Sequence, residues 1–128
     1  MDGIRTIEAE GAPEAIGPYS HAAVADGPVM HTSGQIGIDA QTGELVDGIE
    51  AQTTQVISNL EAVLAAENIG FDRVVKTTVY LTDLGNYVPM NDIYARAFPH
   101  KPARSCVEVS GLPKGALVEI ECIASLPN

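Results

Sequence analysis

The chain has 128 residues, of which 45% are apolar, enough for one compact hydrophobic core and too few for a second. Its 17 acidic and 7 basic residues give a formal charge of −10, a surface that repels phosphate backbones and argues against dedicated nucleic-acid binding. The N-terminus lacks the basic and apolar segments of a signal peptide, and no stretch is apolar over the ~18 residues of a membrane span. We therefore expect a single domain over residues 1–128, located in the cytoplasm, with reduced cysteines and no membrane partner.

Short strands are predicted in the N-terminal part of the chain, bounded by glycine and proline. Their ranges are Ile4–Ala9, Ala22–Ala25, Val29–Ser33 and a short segment that begins at Ile36. A Gly-Pro pair at positions 17–18 forces a turn and leaves Tyr19 on a loop before the second strand. Gly34 follows the third strand and lets the backbone approach a ligand, so Ser33 is placed to present its hydroxyl at a site.

The apolar pattern changes from Gly48 onward. Apolar residues recur every three or four positions, which predicts an amphipathic helix that continues to about Glu67. Strict alternation over Val74–Leu81 then predicts a strand. A second helix is expected over Tyr87–Phe98, with Pro89 tolerated in its first turn.

The C-terminal part contains two β-favouring runs, residues 102–109 and 117–125, separated by a segment with turn chemistry. We predict that they form a hairpin. Pairing that is symmetric about the turn places Cys106 opposite Glu119 and Arg104 opposite Glu121. A guanidinium, a thiol and two carboxylates would then share one patch, provided that the register holds.

The order of elements predicts the fold class. Several strands, a helix, a strand, a helix and two strands indicate an α+β fold in which two helices cover one face of a mixed sheet. The other face would mix Ile123 with charged side chains, and such a half-covered sheet often completes its burial against another subunit. We therefore expect a homo-oligomer.

Six segments carry a resemblance to a known family. They are AIGPYSHA at 15–22, TSGQIGID at 32–39, VVKTTVYLTDL at 74–84, MNDIY at 90–94, PARSCVEV at 102–109 and GLPKGALVEIECIA at 111–124. With these motifs the chain resembles the reactive intermediate deaminase (Rid) family, also called YjgF or L-PSP, and most closely its RidA-type members. The specific part is PARSCVEV followed by LPKG and a Glu-Ile-Glu strand.

The resemblance implies a chorismate-mutase-like α+β fold, assembled as a homotrimer with a central barrel of sheets and a cleft between each pair of subunits. It also implies a 2-iminobutanoate/2-iminopropanoate deaminase, which hydrolyses enamines and imines such as 2-aminoacrylate to 2-oxo acids and ammonia without metal or organic cofactor. One departure from the family pattern is a segment at 98–102 that is about one residue shorter, which bears on the rim of the cleft.

The family motifs, carried over position by position, name the residues of the expected cleft. They are Tyr19, Ser33, Gly34, Asn91, Arg104, Cys106 and Glu119. Arg104 suits a substrate carboxylate, because its planar fork makes two parallel hydrogen bonds. Glu119 is the candidate to orient water and shuttle a proton. No histidine is placed to activate Cys106 as a nucleophile, so we assign it to substrate contact, with Tyr19, Ser33 and Asn91 as hydrogen-bonding partners.

Alternatives stay open for both residues and function. Without the resemblance, Arg104 would be a surface ion-pair partner of Glu121. His21 and His31 are expected to be structural and His100 to lie in a loop, since their spacing resembles no metal-ligand set. The chain could also bind 2-oxo acids without turnover, or act as an endoribonuclease or translation inhibitor. The acidic charge and the lack of a basic platform argue against the last.

Overall fold

The structure, a computed structural model, describes residues 3–127. Within this range the chain forms seven strands and two α-helices. In chain order they are β1 (Ile4–Ile7), β2 (Ala22–Ala25), β3 (Val29–His31), β4 (Gln35–Ile36), α1 (Ile49–Ala65), β5 (Val74–Leu81), α2 (Tyr87–Ala97), β6 (Ala103–Glu108) and β7 (Val118–Ser125). The α+β class and both helices are confirmed, and each N-terminal strand lies within or beside its expected range.

The main sheet of the described chain has five strands. Four of them follow the order β3-β7-β5-β6, and β4 pairs with β7 beyond the end of β3. β1 and β2 form a separate antiparallel ladder. Both helices pack on one face of the main sheet, which positions α2 beside the edge strand β6.

The helix-covered face carries the hydrophobic core. Alternation along β5 and β7 directs every second side chain toward the helices, and these side chains are buried. Val56, Leu60 and Leu64 of α1 are fully buried against them, at the spacing that the sequence pattern predicts. Tyr94 and Phe98 are the largest of the fully buried side chains, and their ring centroids are 4.5 Å apart.

The predicted C-terminal hairpin is wrong. β5 lies between β6 and β7: it pairs with β6 in parallel and with β7 in antiparallel orientation. The physical reason is that α2 connects β5 to β6. A helical crossover returns the chain to the edge of the sheet where β5 begins, so the next strand runs parallel to β5. The strand after that then pairs on the other side of β5.

This topology overturns the predicted patch. Arg104 lies beside Thr77, whose other neighbour on the sheet is Cys122, all on the helix-covered face. Glu119 lies opposite Tyr80 on the other face, which we call the open face, and Glu121 shares it. Cys106 therefore does not oppose Glu119, and Arg104 does not oppose Glu121.

Neither helix within residues 3–127 is long and apolar enough to cross a membrane.

Candidate functional site

A cavity of about 430 Å³ opens on the helix-covered side of the sheet, at its β6 edge. It lies between β6, the start of α2 and the loop that precedes β2. The lining residues are Ile16, Tyr19, Leu84, Tyr87, Arg104 and Cys106. Three of these, Tyr19, Arg104 and Cys106, are residues that the sequence predicts for the site. The lining is mostly apolar around a single charged group, a composition typical of small-molecule sites.

Arg104 is the charged group, and its guanidinium donates to three neutral acceptors, the weakest of which is Sδ of Met90, 3.9 Å from Nη1. Nη1 donates to Oδ1 of Asn91 at 2.7 Å, and Nη2 donates to the hydroxyl of Tyr87 at 3.1 Å. Within residues 3–127 it makes no ion pair, so the alternative of a surface pair with Glu121 is wrong. A guanidinium has five N–H donors, and Nε–H and one N–H of Nη2 have no acceptor among the described residues. A partly buried cation with free donors in a cavity is suited to an anion.

Three tyrosine rings surround this guanidinium. Its carbon lies 4.7 Å from the ring centroid of Tyr94 and 5.5 Å from those of Tyr19 and Tyr87. Each is within the range of a cation–π interaction, which stabilises the charge without neutralising it. The rings thus interact favourably with the guanidinium in a mostly apolar setting, and leave its positive charge for a ligand.

Helix α2 supplies three of the contacts from one of its faces. Tyr87, Asn91 and Tyr94 are spaced by four and three residues, so their side chains lie above one another along the helix. The sequence motifs identify Asn91 but neither Tyr87 nor Tyr94 as a site residue. The sequence does contain a signal for them, because Tyr87 lies four residues before Asn91 and Tyr94 lies three residues after it, on the same face of a helix.

The loop before β2 closes the cavity from the other side. Ser20 bridges to Ala103 at the start of β6, which fixes the loop against this strand. The Tyr19 hydroxyl accepts the N–H of Ile16 at 3.3 Å, so the loop is closed on itself. A Cβ on Gly17 would lie 2.6 Å from the Tyr87 hydroxyl and 2.9 Å from Nη2 of Arg104. A side chain at this position would push the hydroxyl or the guanidinium aside, a close approach that the sequence motifs do not reveal.

Cys106 lies beside Arg104 on the same face of β6 and packs partly against the core. Burial raises the pKa of its thiol above the ordinary value, and the neighbouring Arg104 offsets this only in part. The side chain is therefore a neutral thiol at neutral pH, which agrees with the expectation that it does not act as a nucleophile.

The remaining predicted residues lie elsewhere. Glu119 is on the open face, where Ile36 of β4 and Tyr80 of β5 are its neighbours on the sheet. Gly34 approaches it so closely that a Cβ there would overlap the carboxylate. Ser33 is exposed in the same turn. One copy of the chain therefore brings Tyr19, Asn91, Arg104 and Cys106 together, and holds Ser33, Gly34 and Glu119 as a second group.

Partial burial raises the pKa of Tyr80, and the negative charge of Glu121 adds to this effect, followed by that of Glu119. The open face thus carries two carboxylates close to Tyr80, together with Lys76 of the same strand, whereas the cavity holds Arg104.

His21 and His100 have structural surroundings. Nδ1 of His21 accepts the N–H of Ala9 at 2.8 Å and Nε2 meets the carbonyl of Pro13, which holds the N-terminal loop in place as expected. His100 lies in a loop and its Nε2 meets the carbonyl of Val74 at 2.9 Å. In the part of the chain that the structure describes, no three His, Cys, Asp or Glu side chains are grouped to hold a metal ion.

Comparison with known proteins agrees with the motifs and the fold. Residues 9–126 match the family described as Endoribonuclease L-PSP. Human 2-iminobutanoate/2-iminopropanoate deaminase is 42% identical over 122 residues, which cover 94% of this chain and 88% of the human protein.

Two solved structures show the same architecture. A protein of Thermotoga maritima, described as a putative endoribonuclease, has a TM-score of 0.76 and 46% identity, with 97% of this chain and 98% of that chain covered. Escherichia coli TdcF with bound serine has a TM-score of 0.75 and 37% identity, with 96% and 99% covered. The chorismate-mutase-like α+β fold that the motifs imply is thereby confirmed, and the chain belongs to the L-PSP family, that is, to the Rid family.

Proposed function

We propose that the chain hydrolyses reactive 2-enamino and 2-imino acids, such as 2-aminoacrylate, 2-iminopropanoate and 2-iminobutanoate, to 2-oxo acids and ammonia. The observation that carries the proposal is the guanidinium of Arg104, which faces a cavity with free N–H donors and no carboxylate partner among the described residues. The name of the human relative, a 2-iminobutanoate/2-iminopropanoate deaminase, supports the same chemistry.

The carboxylate of the substrate would bind to Arg104. Nε–H and the free N–H of Nη2 are suited to two parallel hydrogen bonds, the geometry in which arginine recognises carboxylates. The substrate carbon that bears nitrogen would then lie above Cys106 and the ring of Tyr19, in a cavity with mostly apolar walls. Such walls restrict water, and so strengthen the electrostatic interaction with Arg104.

The reaction consumes one water and releases one ammonia. The enamine carbon takes a proton, and the C=C double bond becomes the C=N bond of the imine. Water attacks the carbon of the protonated imine, and one proton of that water passes to nitrogen. The remaining O–H proton then leaves, which balances the proton taken up at carbon, as the C–N bond breaks, the C=O bond of the 2-oxo acid forms and ammonia departs. A general acid–base group that moves these protons contributes roughly 10²–10⁴-fold.

Glu119 is our candidate for this group, and it would act in the cavity of a neighbouring copy. Arg104 and Glu119 are on opposite faces of one sheet, which supports a site shared between subunits. Ser33 and Gly34 would enter the cleft with Glu119, because they contact or adjoin it. We propose a cytoplasmic homotrimer of 13.4 kDa chains with one such cleft between each pair of subunits and no cofactor.

The test measures release of ammonia and 2-oxo acid from freshly generated 2-aminoacrylate. We expect acceleration over the spontaneous rate by the wild type, and loss of that acceleration in Arg104→Ala and Glu119→Gln. Arg96→Ala and Glu121→Gln are matched controls, since Arg96 is exposed on α2 and Glu121 is two residues from Glu119 on the same face. A wild type that binds pyruvate but matches the spontaneous rate would make this a non-catalytic binding protein.

Mixing the two inactive variants tests the shared site. In randomly mixed oligomers, about a quarter of the clefts combine an intact Arg104 with an intact Glu119 from the neighbour, so about a quarter of the wild-type activity should return. No recovery after subunit exchange, or full activity of a monomer, would contradict the shared cleft. RNA cleavage that co-purifies with the protein and is lost in Arg104→Ala would instead favour the endoribonuclease.

A further inference from the structure

The hydroxyl of Tyr87 meets the anchor arginine from a rigid part of the chain. Tyr87 is the first residue of α2, directly after a tight turn at Leu84–Asn86. Asp83 caps this turn by accepting the N–H of Gly85 at 2.8 Å. Glu108, at the end of β6, accepts the N–H of Leu84 at 2.9 Å. The start of α2 is therefore tied to the strand that carries Arg104, independently of Arg104 itself.

Arg104 would otherwise have little to orient it. It extends from an edge strand and has no ion pair within residues 3–127. Fixing a long side chain of this kind costs rotamer entropy, so favourable contacts must compensate for that cost. Stacking on the tyrosine rings restricts where the guanidinium lies, but a cation–π contact leaves it free to turn in its own plane.

Two acceptors one helical turn apart remove that freedom. Asn91 Oδ1 takes an N–H of Nη1 and the Tyr87 hydroxyl takes an N–H of Nη2, so both terminal nitrogens are held by one face of α2. Acceptors of Nη1 alone, which are Asn91 and Sδ of Met90, leave the guanidinium able to pivot about that nitrogen. An acceptor on Nη2 as well prevents the pivot, and the edge formed by Nε and Nη2 is held in one direction.

We propose that Tyr87 is a positioning residue whose hydroxyl orients Arg104 for two-point recognition of a carboxylate. The inference rests on the proposed function in one respect, that Arg104 is the carboxylate anchor. It adds that the affinity for 2-oxo and 2-imino acids depends on a phenol oxygen that contacts the arginine. Gly17 belongs to the same arrangement, since any Cβ there would displace this hydroxyl.

Tyr87→Phe is the informative variant because it keeps the ring, the apolar cavity wall and the cation–π contact. It removes one hydrogen bond to a charged group, and we expect the Kd for pyruvate to rise roughly five- to tenfold. The anchor holds substrate and transition state alike, so KM should rise by a similar factor while kcat stays unchanged. A general loss of structure would lower kcat and thermal stability instead.

A double-mutant cycle with Arg104→Lys tests whether Tyr87 acts through Arg104, with pyruvate binding measured by titration calorimetry. Lysine has no second terminal nitrogen for the hydroxyl to hold. We therefore expect that Tyr87→Phe has little further effect on Kd in the Arg104→Lys background. Tyr94→Phe serves as a reference for core damage, because its hydroxyl meets Thr77 at 2.6 Å inside the core.

The results that would overturn the inference are specific. If Tyr87→Phe raises Kd equally in both backgrounds, or lowers kcat with KM unchanged, the hydroxyl does not act through Arg104. If its effect on Kd only follows a loss of thermal stability, as calibrated by Tyr94→Phe, its role is structural. If Arg104→Lys binds pyruvate as tightly as the wild type, a single charge is enough and two-point recognition is wrong. If Arg104→Ala also binds as tightly, the carboxylate anchor of the proposed function is wrong and the inference fails with it.

Discussion

The two faces of the main sheet differ in what one chain completes by itself. On the helix-covered face, α2, β6 and the loop before β2 enclose Arg104, and its immediate surroundings are supplied by side chains of the same copy. On the open face, Glu119 and Glu121 stand beside Tyr80 with no cation in an ion pair within residues 3–127. One face holds the guanidinium of Arg104 in a cavity that a single copy forms, and the other face holds two carboxylates on an open surface.

This difference suggests how binding and chemistry are divided. A cavity that is preorganised within one copy can hold a carboxylate before any second copy contributes. A carboxylate on an open surface can act on a bound substrate only where that surface meets the cavity of a neighbour. Under the proposed function, affinity would therefore depend on the helix-covered face and turnover on the open face.

The largest expected effect is the difference between Arg104→Ala and Glu119→Gln in their affinity for pyruvate. Loss of two charge-assisted hydrogen bonds should cost about 3 kcal/mol, so Arg104→Ala should weaken binding roughly 100-fold. Glu119→Gln should leave the Kd within a few-fold of the wild type, because this residue belongs to the other face. Titration calorimetry measures both Kd values, and equal losses of affinity in the two variants would contradict the division of binding and chemistry between the two faces.

The next largest effect is a loss of folding stability at alkaline pH, caused by Tyr94, which packs on the helix-covered face. Burial raises the pKa of Tyr94 to about 12 from an ordinary 10.0, against smaller lowering effects of its hydrogen bond with Thr77 and of the Arg104 charge. Between these values the folded state keeps a proton that the unfolded state has lost. Stability should therefore fall as pH rises through this window, by up to about 2–3 kcal/mol.

Urea unfolding at a series of pH values measures this fall. Tyr94→Phe should remove it, whereas Tyr80→Phe, on the open face, should retain it. If both variants keep the same alkaline dependence as the wild type, another group carries it.

A smaller effect tests how closely the loop fits the cavity. Gly17→Ala would bring a Cβ to 2.6 Å from the Tyr87 hydroxyl and so displace either the loop or the hydroxyl. We expect the Kd for pyruvate to rise about fivefold, since an off-position contact at the anchor costs on the order of 1 kcal/mol. Gly11→Ala is the matched control in the same loop, because a Cβ there has nothing within 4 Å. Equal effects of the two changes would mean that loop flexibility, not contact, determines affinity.

The smallest expected effect is in the reactivity of Cys106. Because burial raises the pKa of its thiol, the thiolate fraction at neutral pH is lower than that of a free cysteine. Alkylation by iodoacetamide, followed by mass spectrometry, should be slower at Cys106 than in a model peptide, and should accelerate as pH rises. Faster alkylation than in the peptide would identify an activated thiol and reopen its role as a nucleophile.

Periodicity predicted both helices and the strand β5, because buried faces impose spacings that a sequence displays directly. It could not predict which strands become neighbours. Residues 102–109 and 117–125 have the turn chemistry of a hairpin, yet the strand before α2 lies between them. Pairing is decided by how α2 crosses the sheet, a tertiary property that local signals do not contain.

The site shows the same limit. Family motifs identified Tyr19, Asn91, Arg104 and Cys106, which the fold brings together. The assumed register then grouped Glu119 with Arg104 on one face, and the true neighbours reversed this. Tyr87 and Tyr94 were missed because an aromatic residue on a helix is by default a packing residue, and only the position of Arg104 shows what their rings and hydroxyls contact.

The apolar walls of the cavity can change without disturbing the anchor. Ile16 is 83% exposed and Leu84 is 46% exposed, so neither contributes much to the core. Substitutions there should cost little folding stability, since surface positions away from buried contacts usually change it by about 0.5 kcal/mol or less. Arg104, by contrast, is tied to α2 and cannot vary alone. In the proposed site, a fixed recognition of the carboxylate is thus separate from an adjustable recognition of the rest of the ligand, which would allow new substrate preferences to evolve in small, tolerated steps.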